Sequence, residues 1–265
     1  METSIAPVGE QLRAWRGRRH LSQLDLALDA EISARHLSFL ETGRSRPSRA
    51  MLLRLAERLR IPARDRNLLL AAGGFAPALP ERSLDDPALA AARNAVDLVL
   101  KAYEPFPALA VDRHWQLVAA NAGIAPLLAG VAPRLLDPPV NVLRLSLHPQ
   151  GLAPRIVNLF EWRSHLIERL KRQLDATGDP VLGTLERELL SYPSGPRTQR
   201  AQNPDLAAIV HPLKLRAGNE VLTFISTTTV FGTPLDVTLS ELAIESFFPA
   251  DEATAKALRD AAVAS

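Results

Sequence analysis

LSQLDLALDAEISARHLSFLETGRSRP, residues 21–47, reads as two short helices joined by a tight turn. Ser22 is a good N-cap, and Asp25 stands three residues on, close to a capping box. Leu24, Ala27 and Leu28 fall on one face at helical spacing, and the turn follows at residues 30–32. Ser33 caps the second helix, whose Leu37 and Leu40 point inward. Ala34, Arg35, His36, Ser38 and Phe39 point outward. Gly43 ends that helix, and Pro47 blocks its continuation. A short, polar, mildly basic helix on a small apolar core fits the major groove of DNA. A helical hairpin with solvated side chains fits the same spacing.

The residues separate these readings. Leu21-Ser22-Gln23 with Leu26-Ala27, then Ile32-Ser33, then Leu40-Glu41-x-Gly43-Arg44-x-x-Pro47 resembles the Cro/C1-type repressor domain of the xenobiotic-response-element (XRE) family, over residues 9–72. The resemblance implies a five-helix domain whose second motif helix enters the major groove of double-stranded DNA. It implies a phosphate contact for Gln23 and base contacts for Ser33, Ala34, Arg35, His36 and Ser38. Arg44 and Arg46 fall in the family's backbone-contacting segment. Arg16 and Glu41 match the positions of a structural ion pair. One position departs: Glu31 stands where the family usually has Gly in the turn. A non-Gly residue in the left-handed region costs on the order of 1 kcal/mol. Either the turn is regularised or packing elsewhere meets that cost.

The chain has 265 residues and 47% apolar content, enough for two domains with real cores. It has no Cys, which excludes disulfides, thiolate metal sites and Cys nucleophiles. No apolar run approaches the roughly 18 residues of a membrane span, and residues 1–15 lack a signal-peptide pattern. A cytoplasmic, nucleoid-associated protein with no membrane role is the expectation. Residues 1–72 carry 13 Arg against 8 acids, and the remainder carries 18 basic against 21 acidic residues. That asymmetry points the first part at a polyanion. Arg suits forked contacts to phosphate and guanine, although Arg outnumbers Lys throughout the chain, as a GC-rich genome would also produce.

Working outward, residues 9–20 read as the first helix, with Leu12 and Trp15 inward and Arg13, Arg18 and Arg19 free for DNA or water. Ser48 caps a fourth helix with Met51, Leu52, Leu55 and Leu59 at core spacing, and residues 65–72 form a fifth holding Leu68–Leu70. The domain is placed at residues 1–74, followed by a proline-bearing linker at 75–85. Pro87 opens the next helix, which runs to about Tyr103.

From residue 86 the character becomes α+β. Residues 109–111 and 116–120 are strand signals around a polar turn, and Asn121 starts a helix. Residues 154–176 are amphipathic, with Ile156, Leu159, Trp162, Leu166 and Leu170 on one face. Residues 180–190 form another helix, and 192–205 a polar loop. Strands return at 213–216, 221–230 and 236–239. Phe247-Phe248-Pro249 and a short Ala-rich helix follow. The opening PALAVDRHWQLVAAN resembles PAS sensor domains. With NVLRLSLHPQGLAPRI and FGTPLDVTLSELAIESFFP, residues 86–265 resemble the MmyB-like regulators. The fold class expected is therefore multidomain: an all-α five-helix domain, then an α+β PAS-like domain that binds ligands and dimerises. The resemblance implies a small hydrophobic, fatty-acid-like ligand.

Other chemistry is weakly signalled. His114, His148, His165 and His211 lack the i, i+4 spacing of a helical metal site. His165 with Glu161 or Glu168 reads better as a charged helix face than as a chelate. No nucleophile elbow, glycine-rich phosphate loop or catalytic acid pair is present. The chain reads as no enzyme, with no cofactor and no metal. His148 and Arg155 are candidates to meet a ligand carboxylate, and Trp162 and Phe224 to line an apolar pocket. The expected protein is a homodimeric regulator with a ligand-sensing second domain. The alternative is a ligand-free dimerisation or protein-interaction module in that place.

Overall fold

The computed structural model describes residues 6–195, 212–232 and 234–263. His211 and the end of the loop placed at 192–205 lie outside them. The chain divides into two units, the first reaching to Arg82, with the short segments Asp175–Thr177 and Pro234–Ser240 grouped with it.

Up to Arg82 the described residues of the first unit form five helices: α1 Val8–Arg18, α2 Gln23–Asp29, α3 Ala34–Glu41, α4 Arg49–Arg58 and α5 Ala63–Ala72. Serines start three of them. Ser22 and Asp25 exchange hydrogen bonds in a full capping box, Ser33 accepts from the His36 amide, and Ser48 from the Met51 amide. All five stop alike. A residue in the left-handed region follows each helix, and the next amide reaches back to a carbonyl in the helix. For α1 to α5 these residues are His20, Glu31, Gly43, Arg60 and Gly74. The closing bonds include Ile32 to Ala27 at 2.9 Å and Ile61 to Ala56 at 2.8 Å. Leu21, Ile32, Ile61 and Phe75 then turn apolar side chains onto the core.

The turn at Glu31 is therefore not regularised, because its φ is +55°. Glu31→Gly is expected to stabilise the unit by about 0.5 kcal/mol, the relief of left-handed strain less the greater freedom of Gly in the unfolded chain. Urea denaturation checks this, and a loss of stability would refute it.

The apolar face of α2 differs from the expectation. Leu26, Ala27 and Ala30 are buried, whereas Leu24 is 58% and Leu28 67% exposed. The Ser22 cap and the Ile32–Ala27 bond together fix the rotation of this two-turn helix. Two stripes share Ala27, and those ends select the one through Leu26. Likewise only Leu69 and Leu70 of the Leu68–Leu70 run are buried. Gly9 permits a close helix crossing: a Cβ there would lie 2.5 Å from the carbonyl oxygens of Leu40 and Glu41. The segment after α5 packs as part of this unit, since the Asn67 side chain bonds the amide of Ala78 at 2.8 Å and the carbonyl of Leu79 at 2.7 Å.

The second unit opens with a 3-10 turn, Pro87–Leu89, capped by Asp86, and continues as α6 Ala90–Ala102. Its sheet has five strands: β1 Ala108–Val111, β2 Leu117–Ala120, β3 Leu213–Ala217, β4 Glu220–Val230 and β5 Ala243–Pro249. The order is β2-β1-β5-β4-β3, and each neighbouring pair is antiparallel. Helices α7 Val142–Leu147, α8 Leu159–Thr177 and α9 Pro180–Ser191 lie between β2 and β3 in sequence, α10 Val237–Ser240 precedes β5, and α11 Glu252–Val263 follows it. One core joins Leu109 and Val111 of β1, Leu215 of β3 and Phe224 of β4 to Trp162 and Leu166 of α8. An all-helical first unit followed by an α+β unit is the expected fold class.

Two local expectations are corrected. The strand expected at 236–239 is the short helix α10, because the Asp236 carboxylate caps the Thr238 amide at 2.9 Å. The strand lies later, as β5, in the centre of the sheet. The helix expected from residue 154 starts at Leu159: Ala153–Arg155 is a 3-10 turn, and Ile156 bridges to Leu215. Asn121 starts a helix as expected, standing at the N-cap of the 3-10 helix Ala122–Leu128, but its side chain makes no cap bond there. Its buried amide accepts from the Ala108 amide at 3.0 Å and donates to the carbonyls of Leu100 at 3.1 Å and Phe106 at 2.8 Å. It thereby ties α6 to the start of β1.

Candidate nucleic-acid interface and ligand cavity

In the first unit, α3 is anchored from behind by an ion pair. Arg16 of α1 grips Glu41, at the end of α3, through Nε–Oε1 at 2.6 Å and Nη2–Oε2 at 2.9 Å. Gln23 Nε2 donates to the same carboxylate at 2.8 Å, and Arg16 Nη1 to the Leu21 carbonyl at 2.9 Å. The Glu41 side chain is 2% exposed. Burial pushes its carboxyl pKa up, but hydrogen bonds from Arg16 and Gln23, and attraction to Arg16 and Arg13, hold it below the usual range.

The opposite side of α3 is open. Arg35 is exposed, its guanidinium 5.3 Å from the Phe39 ring, and Arg44 and Arg46 are exposed beyond the helix. Among the five helix ends, the one after α3 is followed by Arg44 rather than by an apolar side chain. His36 and Ser38 are half-buried, and the Ser33 hydroxyl oxygen holds the His36 amide at 3.1 Å. Ala34 differs from the outward placement expected of it, being half-buried against the core. Gln23 sits in the ion-pair network, with the second N–H of its amide still available to a phosphate. Of the arginines on and after α1, Arg19 helps to hold the fold together, because its Nε donates to the Leu59 carbonyl at 2.8 Å and so satisfies the end of α4.

The second unit holds a cavity of about 90 Å³ between the sheet and α8. Its walls are mainly leucines, with Ile124, Trp115 and Trp162, and its polar lining is Ser146, Ser226, Arg169 and Glu245. Arg169 of α8 and Glu245 of β5 face one another with Nη1–Oε2 at 2.8 Å and Nη2–Oε1 at 2.5 Å. Thr228 Oγ1 accepts from Arg169 at 2.8 Å. The guanidinium also lies 4.6 Å from the Trp115 ring. Trp115 has φ +64°, a strained conformation for a bulky side chain. Its indole N–H donates to Gln173 Oε1 at 2.8 Å, one turn along α8 from Arg169.

Of the four residues expected at a ligand, the structure brings one to this cavity. Trp162 lines it, its indole N–H on Ser146 Oγ at 3.0 Å. Phe224 is fully buried and packs edge-on against Phe247 at 6.3 Å. Arg155 spends its guanidinium on the carbonyls of Leu127, Ala129 and Arg216. His148 packs on Tyr192, with ring centroids 5.1 Å apart. Burial lowers its pKa, and the positive charges of Arg134 and Arg144 outweigh the opposing pull of Glu188. Sequence reasoning missed Trp115, Arg169 and Glu245. The available signal was a charge on the apolar side of a helix, Arg169 beside Leu166 and Leu170, and a lone acid inside the apolar run 243–248.

Family models match both units: residues 12–65 to a helix-turn-helix family and residues 92–261 to the MmyB-like transcription regulator ligand binding domain. A comparison with curated proteins returns no match. Both families are transcription-regulator domains, and an anchored, exposed α3 with a walled apolar cavity is the geometry such a pairing requires. With the second match spanning more than half of its length, the chain belongs to the MmyB-like transcription regulators, as a DNA-binding regulator with a ligand-binding domain.

Proposed function

We propose that this regulator binds a specific operator as a cytoplasmic, nucleoid-associated homodimer and that its second unit senses a small hydrophobic, fatty-acid-like molecule. The observation that carries the sensor reading is the mainly apolar cavity between α8 and the sheet, with four polar residues in its lining. Two-fold operators with half-sites about one helical turn apart suit a dimer of this helix type. Among the described residues no helix is long and apolar enough to cross a membrane. A ligand would act by changing the spacing of the two reading helices, which requires different affinities for two states. Equal operator affinity with and without saturating ligand would sink that coupling.

Size bounds the ligand. About 90 Å³ is smaller than the roughly 150 Å³ apolar cavity that takes up benzene, so a long chain enters only as the walls separate. The same small volume favours, as a second reading, a filled core serving dimerisation or protein contact. Native mass spectrometry of the purified protein, followed by denaturation and extraction, separates the two. A dimer that releases a small hydrophobic molecule supports the sensor, and a clean apo dimer supports the interaction module.

On the DNA side, Gln23, Arg44 and Arg46 are assigned to phosphates, and Ser33, Arg35, His36 and Ser38 to the groove face of α3, whereas Ala34 packs against the core. Arg35→Ala is expected to weaken operator binding by about 1–3 kcal/mol and relax preference at one base pair. Competition binding against single-base operator variants checks this. A loss equal on all sequences would move Arg35 to the phosphate contacts.

A further inference from the structure

We propose that, within the fatty-acid-like class, the cavity of the second unit selects a neutral derivative with an uncharged hydrogen-bonding head, such as an alcohol, ester or amide, over the carboxylate anion of the free acid. This rests on the reading of that cavity as the ligand site. Among the described residues that line it, Arg169 is the only cation, and its charge is already matched by Glu245. Glu245 is buried, and the Arg169 side chain is about a quarter exposed, so the pair is partly shielded from water. A carboxylate brought to Arg169 would meet the Glu245 oxygens, which lie 2.5 and 2.8 Å from the same guanidinium nitrogens. It would also bring one unbalanced negative charge into walls that are apolar apart from this pair and the hydroxyls of Ser146 and Ser226. Transfer of an unmatched charge from water to such a place is strongly unfavourable.

A neutral head meets the opposite situation. Of the five guanidinium N–H groups, three are used by Glu245 and Thr228, which leaves one on Nε and one on Nη1 without a part in these bonds. The Glu245 carboxylate can accept from a hydroxyl or amide of the ligand. Ser146, whose oxygen takes the Trp162 indole at 3.0 Å, and Ser226 add hydroxyls to the same lining. The pair is held in place in advance. The Trp115 ring backs the guanidinium, and the Gln173 bond fixes Trp115 in its left-handed conformation. Strain retained at the polar end of an otherwise apolar cavity is expected of a recognition element.

Calorimetric titration of the full chain with n-alkanols and n-alkanoates of four to ten carbons, at neutral pH, tests the assignment. At the best chain length the alkanol is expected to bind at least tenfold more tightly than the alkanoate of equal length. In Glu245→Gln, which leaves the Arg169 charge unmatched, the order is expected to reverse. An alkanoate that binds wild-type protein as tightly as the alkanol, or more so, overturns the proposal and leaves the sensor reading intact. Binding of neither series at any length overturns the reading of the cavity itself. An unchanged order in a folded Glu245→Gln protein removes the selectivity from this pair. The wild-type comparison decides the main point even if that variant fails to fold.

Discussion

Glu41→Ala is expected to destabilise the first unit by about 3–5 kcal/mol, the cost of leaving a buried charge without its partner. The variant strands Arg16 and the Gln23 amide, both bonded to that carboxylate at 2.6–2.9 Å. Urea denaturation followed by circular dichroism measures the loss, and a value below about 1 kcal/mol would show that solvent already screens the pair. Replacing both partners with apolar residues, Arg16→Met with Glu41→Leu, is expected to recover most of the loss, because neither charge then needs compensation. The pH dependence follows from the lowered pKa of Glu41. At acid pH the folded protein binds fewer protons than the unfolded chain. The contribution is therefore complete above the unfolded carboxylate value of about 4.3, and is lost as pH falls through the lower folded value. The gap between wild type and Glu41→Ala should be full at pH 7 and close in acid.

Trp162→Ala carries a comparable cost in the second unit, about 3–5 kcal/mol for emptying a large buried side chain. The indole is 4% exposed, and its removal also leaves the Ser146 hydroxyl without its donor. The change has a second consequence because Trp162 is a wall of the cavity. The enlarged space is expected to shift the preferred alkanol to a longer chain, and bound ligand should then restore part of the lost stability. Circular dichroism melts with and without the alkanol series read both effects. A stability loss under about 1 kcal/mol, or an unchanged chain-length optimum, would place Trp162 outside the site.

What was legible in the sequence was local. Ser22, Ser33 and Ser48 act through bonds within three residues, so the helix starts of the first unit could be read directly. The pairing of Arg16 with Glu41 came from resemblance, since nothing in spacing joins residues 25 apart. The ends of the helices were harder. His20, Glu31 and Arg60 adopt conformations that their residue types disfavour, and packing of the following apolar side chain decides them. In the second unit, β5 escaped notice because its Glu245 and Ser246 are buried, and a buried acid breaks the alternation that marks a strand. The same feature concealed the polar end of the cavity. Glu245 becomes intelligible only beside Arg169, 76 residues earlier in the chain.

The position of β5 has a consequence for synthesis. β1–β2 and β3–β4 are each complete as hairpins, but they touch the rest of the sheet only through β5, which leaves the ribosome last of the five strands. The helical unit, made first and closed by short-range bonds, is able to fold while the remainder is still being translated. A nascent or truncated chain lacking residues after 242 thus carries a finished DNA-reading helix and two unjoined hairpins. Such a chain also lacks Glu245 and Phe247, so the cavity is without part of its lining until the last strand is in place.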